Sequence, residues 1–214
     1  MLKTVSVYLV AGLAFSGSNA IVAAPAHHAA AMGRTLSVQS VVLSIDGTST
    51  MNDYTLSTTT VTMHSTTALA DIESLLQPHA LQTLELQIPV DSFSSERDGL
   101  TKEMLTALQA NKHPDITYKL NTYEVEPSAG GGIIVKPAGT LTVAGAERPI
   151  ELVLEVKETA SGLQVHGSHE LSMMAFGVKP PTMFMGVLKT NDKVTIKFDL
   201  QLAIAPRVLA SNAR

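Results

Sequence analysis

"DKVTIKFDLQLAI", residues 192 to 204, decides how the chain folds. Val194, Ile196, Phe198, Leu200, Leu202 and Ile204 alternate with Lys193, Thr195, Lys197, Asp199 and Gln201. Successive side chains of a strand point to opposite faces, so a period of two marks an extended segment with one apolar and one polar face. The same alternation returns in "RPIELVLEVKE" (148 to 158), where Ile150, Leu152, Leu154 and Val156 share a face opposite Glu151, Glu155 and Lys157. It recurs at Leu84, Leu86, Ile88 and Val90, and at Ile116, Tyr118 and Leu120. Half-buried faces of this kind belong to antiparallel sheets.

Turn residues separate these runs at hairpin distances: "DGTST" near 46, "SAGGG" near 128, "VAGAERP" near 143 and "TASG" near 159. The runs 36–46, 53–65, 81–91, 115–125, 133–144, 149–158, 162–173 and 192–204 make about eight strands. At that number a sheet closes into a barrel around one apolar interior and loses its exposed edges. The fold expected is therefore all-β, an eight-stranded antiparallel β-barrel. In "LSVQSVVLSI" the apolar phase slips between Val38 and Val41, which predicts a bulge. No internal repeat of solenoid length is present.

One amphipathic helix interrupts the strands. In "SERDGLTKEMLTALQANKHP" (95 to 114), Leu100, Met104, Leu105 and Leu108 build an apolar stripe, and His113 before Pro114 ends it. Such a helix caps or flanks one end of the barrel. Glu96, Arg97 and Asp98 at its entrance fit capping and the helix dipole better than acid–base chemistry. A weaker helical turn is expected in "ALADIESLLQP" (68 to 78).

"FGVKPPTMFMGVLKTNDKV" (176 to 194) is unusual in being apolar where regular structure is discouraged. Pro180 and Pro181 remove two N–H donors and fix φ, so 178–187 reads as loop. Met183, Phe184 and Met185 sit on it, with Met173, Met174 and Phe176 leading in. An apolar loop must cover apolar surface. Two readings stand: a lid over the barrel mouth, where adaptable methionines conform to a variable chain, or ordinary packing against the 100–108 helix. A soft-metal site such as Cu(I) would lack Cys and any suitably phased His.

The chain has 214 residues, 45% hydrophobic and 16% charged, enough for a sizeable core and far from disordered. A formal charge of −4 with Lys and Arg scattered singly offers no footprint for nucleic acid. Lys3, the apolar "VSVYLVAGLAF" (5 to 15) and small residues in "SGSNAIVAA" (16 to 24) read as an export signal, cut after Ala20 or Ala23. The layout expected is signal peptide 1–23, flexible leader 24–34, barrel domain 35–205 and tail 206–214, with a periplasmic location. Cys is absent, so neither a lipidated cysteine nor a disulfide framework is available.

Residues with catalytic or metal-binding chemistry do not assemble into motifs. His27 and His28 have only Ala and Gly around them. His166 and His169, three apart on a strand, point to opposite faces, with His169 on the face of Leu163, Val165 and Leu171. No G-x-S-x-G, H-E-x-x-H or phosphate-cradling glycine loop occurs. The chain is read as a non-enzyme, without cofactor or metal.

"SERDGLTKEML", "NKHPDITYKL", "AGTLTVAGAERPIELVLEV", "FGVKPP" and "NDKVTIKFDLQL" resemble, in order and spacing, the signature blocks of the YceI-like polyisoprenoid-binding proteins. "DGTSTMNDYTLS" is similar to the G-T-S-T-x-x-D-W segment of one branch, with Tyr54 in place of the usual Trp and Asn52 where His is common. The resemblance runs from roughly Leu36 to Ile204. It implies a lipocalin-like barrel whose elongated lumen holds a long isoprenoid chain, in exported bacterial proteins associated with isoprenoid quinone handling or stress. It implies no catalytic residues.

Positions phased toward the lumen, the helix stripe and the apolar loop give the candidate ligand-binding set: Tyr54, Leu100, Met104, Leu108, Tyr118, Leu152, Leu154, His169, Met173, Phe176, Met183, Phe184 and Phe198. The partner expected is an isoprenoid lipid or quinone, with transient contact to a membrane or membrane protein. Two alternatives remain open on the residues. An eight-stranded barrel is in many cases filled by its own side chains, which would leave a docking module acting through the 176–188 loop. A lipid hydrolase would need Ser49 with His64 or His169, which nothing in the spacing supports.

Overall fold

Strand β1 (Arg34–Ser49) and the final strand β11 (Leu188–Pro206) lie antiparallel along almost their whole length, with Arg34 opposite Pro206. Between them in chain order come β2 (Tyr54–Thr58), β3 (Thr62–Thr67), β4 (Leu81–Pro89), helix α1 (Asp98–Ala107), β5 (Asp115–Pro127), β6 (Ile133–Val143), β7 (Ala146–Glu151), β8 (Leu154–Thr159), β9 (Gly162–Ser172) and β10 (Thr182–Met183). The structure is a computed structural model and describes residues 34–68, 73–77, 79–183 and 188–206, without the side chains of 183, 188, 205 and 206. The expected signal peptide, nearly all of the leader and all but the first residue of the tail lie outside the described residues.

Pairing runs β1–β11–β9–β8–β6–β5–β4–β3 and back to β1, so the sheet closes as an eight-stranded antiparallel barrel. The alternation read in β11 is the wall itself: Val194, Ile196, Phe198, Leu200 and Leu202 face in. Outside, Lys193 pairs with Glu170 at 2.7 Å and Lys197 with Asp46 at 2.8 Å. A polar exterior around an apolar interior reverses the pattern of a barrel that faces lipid.

The bulge anticipated in β1 sits between Val38 and Ser40. Two runs expected as single strands are broken. The 53–65 run is β2, which pairs with β1 along Leu43–Gly47, followed by β3, which meets β1 only at Arg34 opposite Thr67. Ser65 bridges the seam, accepting from the Leu36 N–H at 2.8 Å. The 149–158 run is β7 and β8, both on β6 and linked where the Leu152 N–H donates to Pro137 at 3.0 Å. Pro137 has no N–H to return.

Two other expectations are corrected, at the end of α1 and in the 178–187 loop, and the expected helical turn is found. Helix α1 stops at Ala107, not at His113, because Gln109 takes φ 55. Its N–H donates to Thr106 at 3.0 Å and that of Ala110 to Leu105 at 3.1 Å, a Schellman closure that ends the helix before the proline acts. The turn near 68–78 is a 3-10 helix at Glu73–Leu76. The loop expected over 178–187 contains β10, which pairs Thr182 with Lys189 and Met183 with Leu188, so β11 begins earlier than the alternation indicated. Proline removes a donor but keeps its carbonyl: Pro181 accepts from both the N–H and the hydroxyl of Thr190, at 3.1 and 3.0 Å.

Candidate functional site

The inward rows are not uniformly buried, and their burial profile locates the site. On β11, Val194, Leu200 and Leu202 are 6–8% exposed, whereas Ile196 and Phe198 between them are only half-buried. On β1, Val41 and Ile45 are buried and Leu43 between them is half-buried. Along β7 and β8, Ile150, Leu152 and Leu154 are half-buried and Val156 is buried. Side chains in the middle of an inward row have no bulk solvent to face, so their residual exposure is to a hollow on the barrel axis.

That hollow is a cavity of about 250 Å³ whose wall exposes only apolar atoms. Two core clusters close its ends. At one, Leu100, Met104 and Leu108 of α1 and its exit pack with Phe93, Met173, Phe176 and Val178. At the other, Leu75 of the 3-10 helix packs with Leu36, Leu163 and Leu202. The helix expected to cap one end does so, and the short helical turn serves the opposite end.

The turn that carries Met173 and Phe176 into the first cluster is held by one carboxylate. Asp192 accepts from the Ser172 hydroxyl at 2.6 Å and the Met174 N–H at 2.7 Å, and its backbone oxygen accepts from the Met173 N–H at 3.0 Å. The Ser172 hydroxyl, with the Met174 N–H second, holds the Asp192 carboxyl below the usual carboxylate range.

Of the candidate residues, Met104, Leu108, Tyr118, Leu152, Leu154, His169, Met173, Phe176 and Phe198 line this cavity together. Tyr54 and Leu100 are buried in the first cluster beside it but do not form its wall. The Met183 side chain and Phe184 lie outside the described residues. Sequence reasoning left out Leu43, Val61, Met63 and Ile196, all on the wall. Leu43 and Ile196 were legible as the central members of alternating rows; Val61 and Met63 were hidden by the break between β2 and β3.

Polar groups on the wall are few. Among the described residues no Lys, Arg, Asp or Glu lines the cavity; its polar residues are Tyr118, His169 and Ser172. Tyr118 is 4% exposed and its hydroxyl has no hydrogen-bond partner; burial pushes the phenol up to about 12. Its ring lies over Gly139, where an added Cβ would come within 2.6 Å of both Cζ and Oη. Burial also pushes the Tyr54 phenol up, offset in part by the nearby Thr190 hydroxyl. Those two oxygens do not reach hydrogen-bond geometry, since the Tyr54 hydroxyl is likewise without a partner and Thr190 donates to Pro181. His166 points outward, 3.3 Å from Asp199. Nowhere among the described residues do three His, Asp or Glu side chains converge as a metal site would require.

A family model described as the YceI-like domain matches residues 24–202. Among solved structures, BcnA of Burkholderia cenocepacia is similar at 18% identity and TM-score 0.58, over 76% of this chain and 96% of that one. A polyisoprenoid-binding domain from Saccharophagus degradans, implicated in plant cell wall breakdown, is similar at 14% identity and TM-score 0.56, over 82% of this chain and 99% of that one. At these identities the likeness is one of fold. No curated protein matches the chain.

Proposed function

The chain belongs to the YceI-like family, and from that premise we propose that it binds and carries the apolar chain of an isoprenoid lipid, a polyisoprenoid or an isoprenoid quinone, along the barrel axis. The observation that carries this reading is the half-buried middle of the inward rows of β1 and β11 between buried ends. A filled core would bury Leu43, Leu154, Ile196 and Phe198 as fully as their neighbours. A long hydrocarbon laid in the hollow gains roughly 25 cal/mol per Å² removed from water and needs no polar partner. The wall fits such a guest, being built of Leu, Ile, Val and Met with few aromatic rings. The fold shared with a polyisoprenoid-binding domain supports the same ligand class.

Among the described residues no wall serine meets a histidine: the Ser172 hydroxyl is committed to the Asp192 clasp of its turn, and Ser49, the last residue of β1, donates its hydroxyl to the Asn52 backbone oxygen at 2.6 Å. We read the chain as a carrier, not an enzyme, working in the periplasm after removal of the signal peptide. Transient contact with a membrane or membrane protein is favoured by Met51, 61% exposed between β1 and β2, and Met174, 62% exposed at the start of the 3-10 turn Met174–Phe176, both at the α1 end. The test is native purification of the exported protein, organic extraction and mass spectrometry. A stoichiometric isoprenoid or quinone is expected. A protein that carries no lipid and gains no thermal stability from added isoprenoids would move the reading to the docking module.

A further inference from the structure

We infer that the bound lipid lies head-inward, with a neutral hydrogen-bond-accepting head group at the α1 end of the lumen and Tyr118 as its donor. The inference rests on the isoprenoid-carrier reading and adds the orientation and the head-group class.

Tyr118 is an anomaly in its surroundings. It stands on β5 between Ile116 and Leu120, inward, in the cluster closed by Met104 and Leu108. It is 4% exposed, and its hydroxyl is unpartnered. Buried hydroxyls are nearly always hydrogen-bonded, and phenylalanine would fill the same space without an orphaned donor. The ring is seated on the lumenal side, because Gly139 belongs to the β6 row of Val135, Pro137, Leu141 and Val143 that faces the axis. The hydroxyl is covered as the ring lies, so contact requires the phenol to lift slightly from Gly139 toward the axis.

The head must be neutral. No Lys or Arg lines the cavity among the described residues, and a phosphate drawn into an apolar lumen would be desolvated without a counter-ion. A carbonyl accepts from the phenol at no such cost. The tail then runs toward the end closed by Leu36, Leu75 and Leu202. Tyr54 supplies the control: its hydroxyl is also orphaned, but it does not form the cavity wall.

The test compares three probes that share one phytyl tail: phylloquinone, with carbonyls at the head; phytane, with no head; and phytyl phosphate. Each is titrated into wild type, Tyr118→Phe and Tyr54→Phe in one displacement assay, with melting curves to confirm folding. Wild type is expected to prefer phylloquinone over phytane by roughly tenfold, the scale of one hydrogen bond. Tyr118→Phe should abolish that preference without lowering the melting temperature, since it removes an orphaned buried donor, and Tyr54→Phe should leave the preference unchanged. A preference that survives in Tyr118→Phe, or tighter binding of phytyl phosphate than of phylloquinone, overturns the head-inward assignment while the carrier reading stands. Failure of all three probes to bind wild type overturns the carrier reading itself and the assignment with it.

Discussion

Replacing Ile196 with phenylalanine separates an open lumen from a filled core. Ile196 faces inward at the middle of β11, opposite Ile45 on one side and His169 on the other, and is half-buried on the cavity wall. Leu200, on the same row, is 8% exposed and packed in the end cluster. Adding bulk to a close-packed site forces strained rotamers and costs about 1–3 kcal/mol, the penalty expected for Leu200→Phe. At 196 the new ring has the hollow to enter, so Ile196→Phe should cost less than about 1 kcal/mol. The ring takes space from the guest instead. Phenylalanine carries about three more carbons than isoleucine, and at ~0.8 kcal/mol per methylene displaced the ligand loses ~2.4 kcal/mol, about 50-fold in affinity. Urea titration of both variants gives the stability arm, and displacement of a bound prenyl probe gives the affinity arm. If Ile196→Phe is destabilised as much as Leu200→Phe, the barrel is packed at its centre and the lumen argument fails.

Three further outcomes follow from particular contacts. Gln109→Gly relieves a left-handed residue at the α1 terminus and should stabilise the fold by ~0.5–1 kcal/mol, seen as a melting temperature a few degrees higher; a lower one would mean that the glutamine makes compensating contacts. The Tyr118 phenol rises from 10.0 to about 12 on folding, so the native state holds its proton where the unfolded chain has lost it. Its contribution is complete below pH 10 and disappears as pH climbs through about 12; Tyr118→Phe should therefore flatten part of the stability loss over that interval, measured by denaturant midpoints at each pH. Asp192 has the opposite sign. Its carboxyl is held low by Ser172 and Met174, so the stability it contributes is present above the ordinary value of 3.8 and lost as pH falls through the folded value. Asp192→Ala should weaken that acid dependence and raise amide exchange at 173–176, and unchanged exchange would count against Asp192 as the clasp of this turn.

The barrel was legible because a single rule, the period of two, holds along most of its strands. The rule fails where an inward position is polar. Leu56 and Thr58 face in, Val61 and Met63 face in, and the slip of phase between 58 and 61 is masked by three consecutive threonines. Buried Thr58 is accommodated by its hydroxyl contact with Ser92 at 2.7 Å, a partner distant in the chain. The end of α1 was misjudged because the usual sign of a left-handed closure is glycine, and here glutamine takes the position. Alternation gives the direction of a side chain but not the distance to the opposite wall. Whether inward residues meet across the axis depends on how the strands stagger, which no local pattern encodes. The candidate set therefore captured lumen-facing residues while missing Ile196 and Leu43, where the hollow is most evident.

What keeps the axis open is where the large rings go. Three of the chain's few aromatics lie flat on glycines of the neighbouring strand: Tyr54 on Gly47, Tyr118 on Gly139 and Phe198 on Gly167. At each glycine an added Cβ would collide with ring atoms, so a side chain there would force the ring off the wall. Gly47 and Gly167 are the direct cross-strand partners of Tyr54 and Phe198, and Gly139 lies diagonal to Tyr118. Glycine weakens a strand by its flexibility, and the covering ring restores buried area at the same spot. The geometric consequence matters more for binding. A ring laid against the wall occupies the place of its neighbour's missing side chain and leaves the axis to aliphatic groups. With rings held at the wall and both ends closed by other elements, an eight-stranded barrel that its own side chains could fill keeps room for an apolar guest.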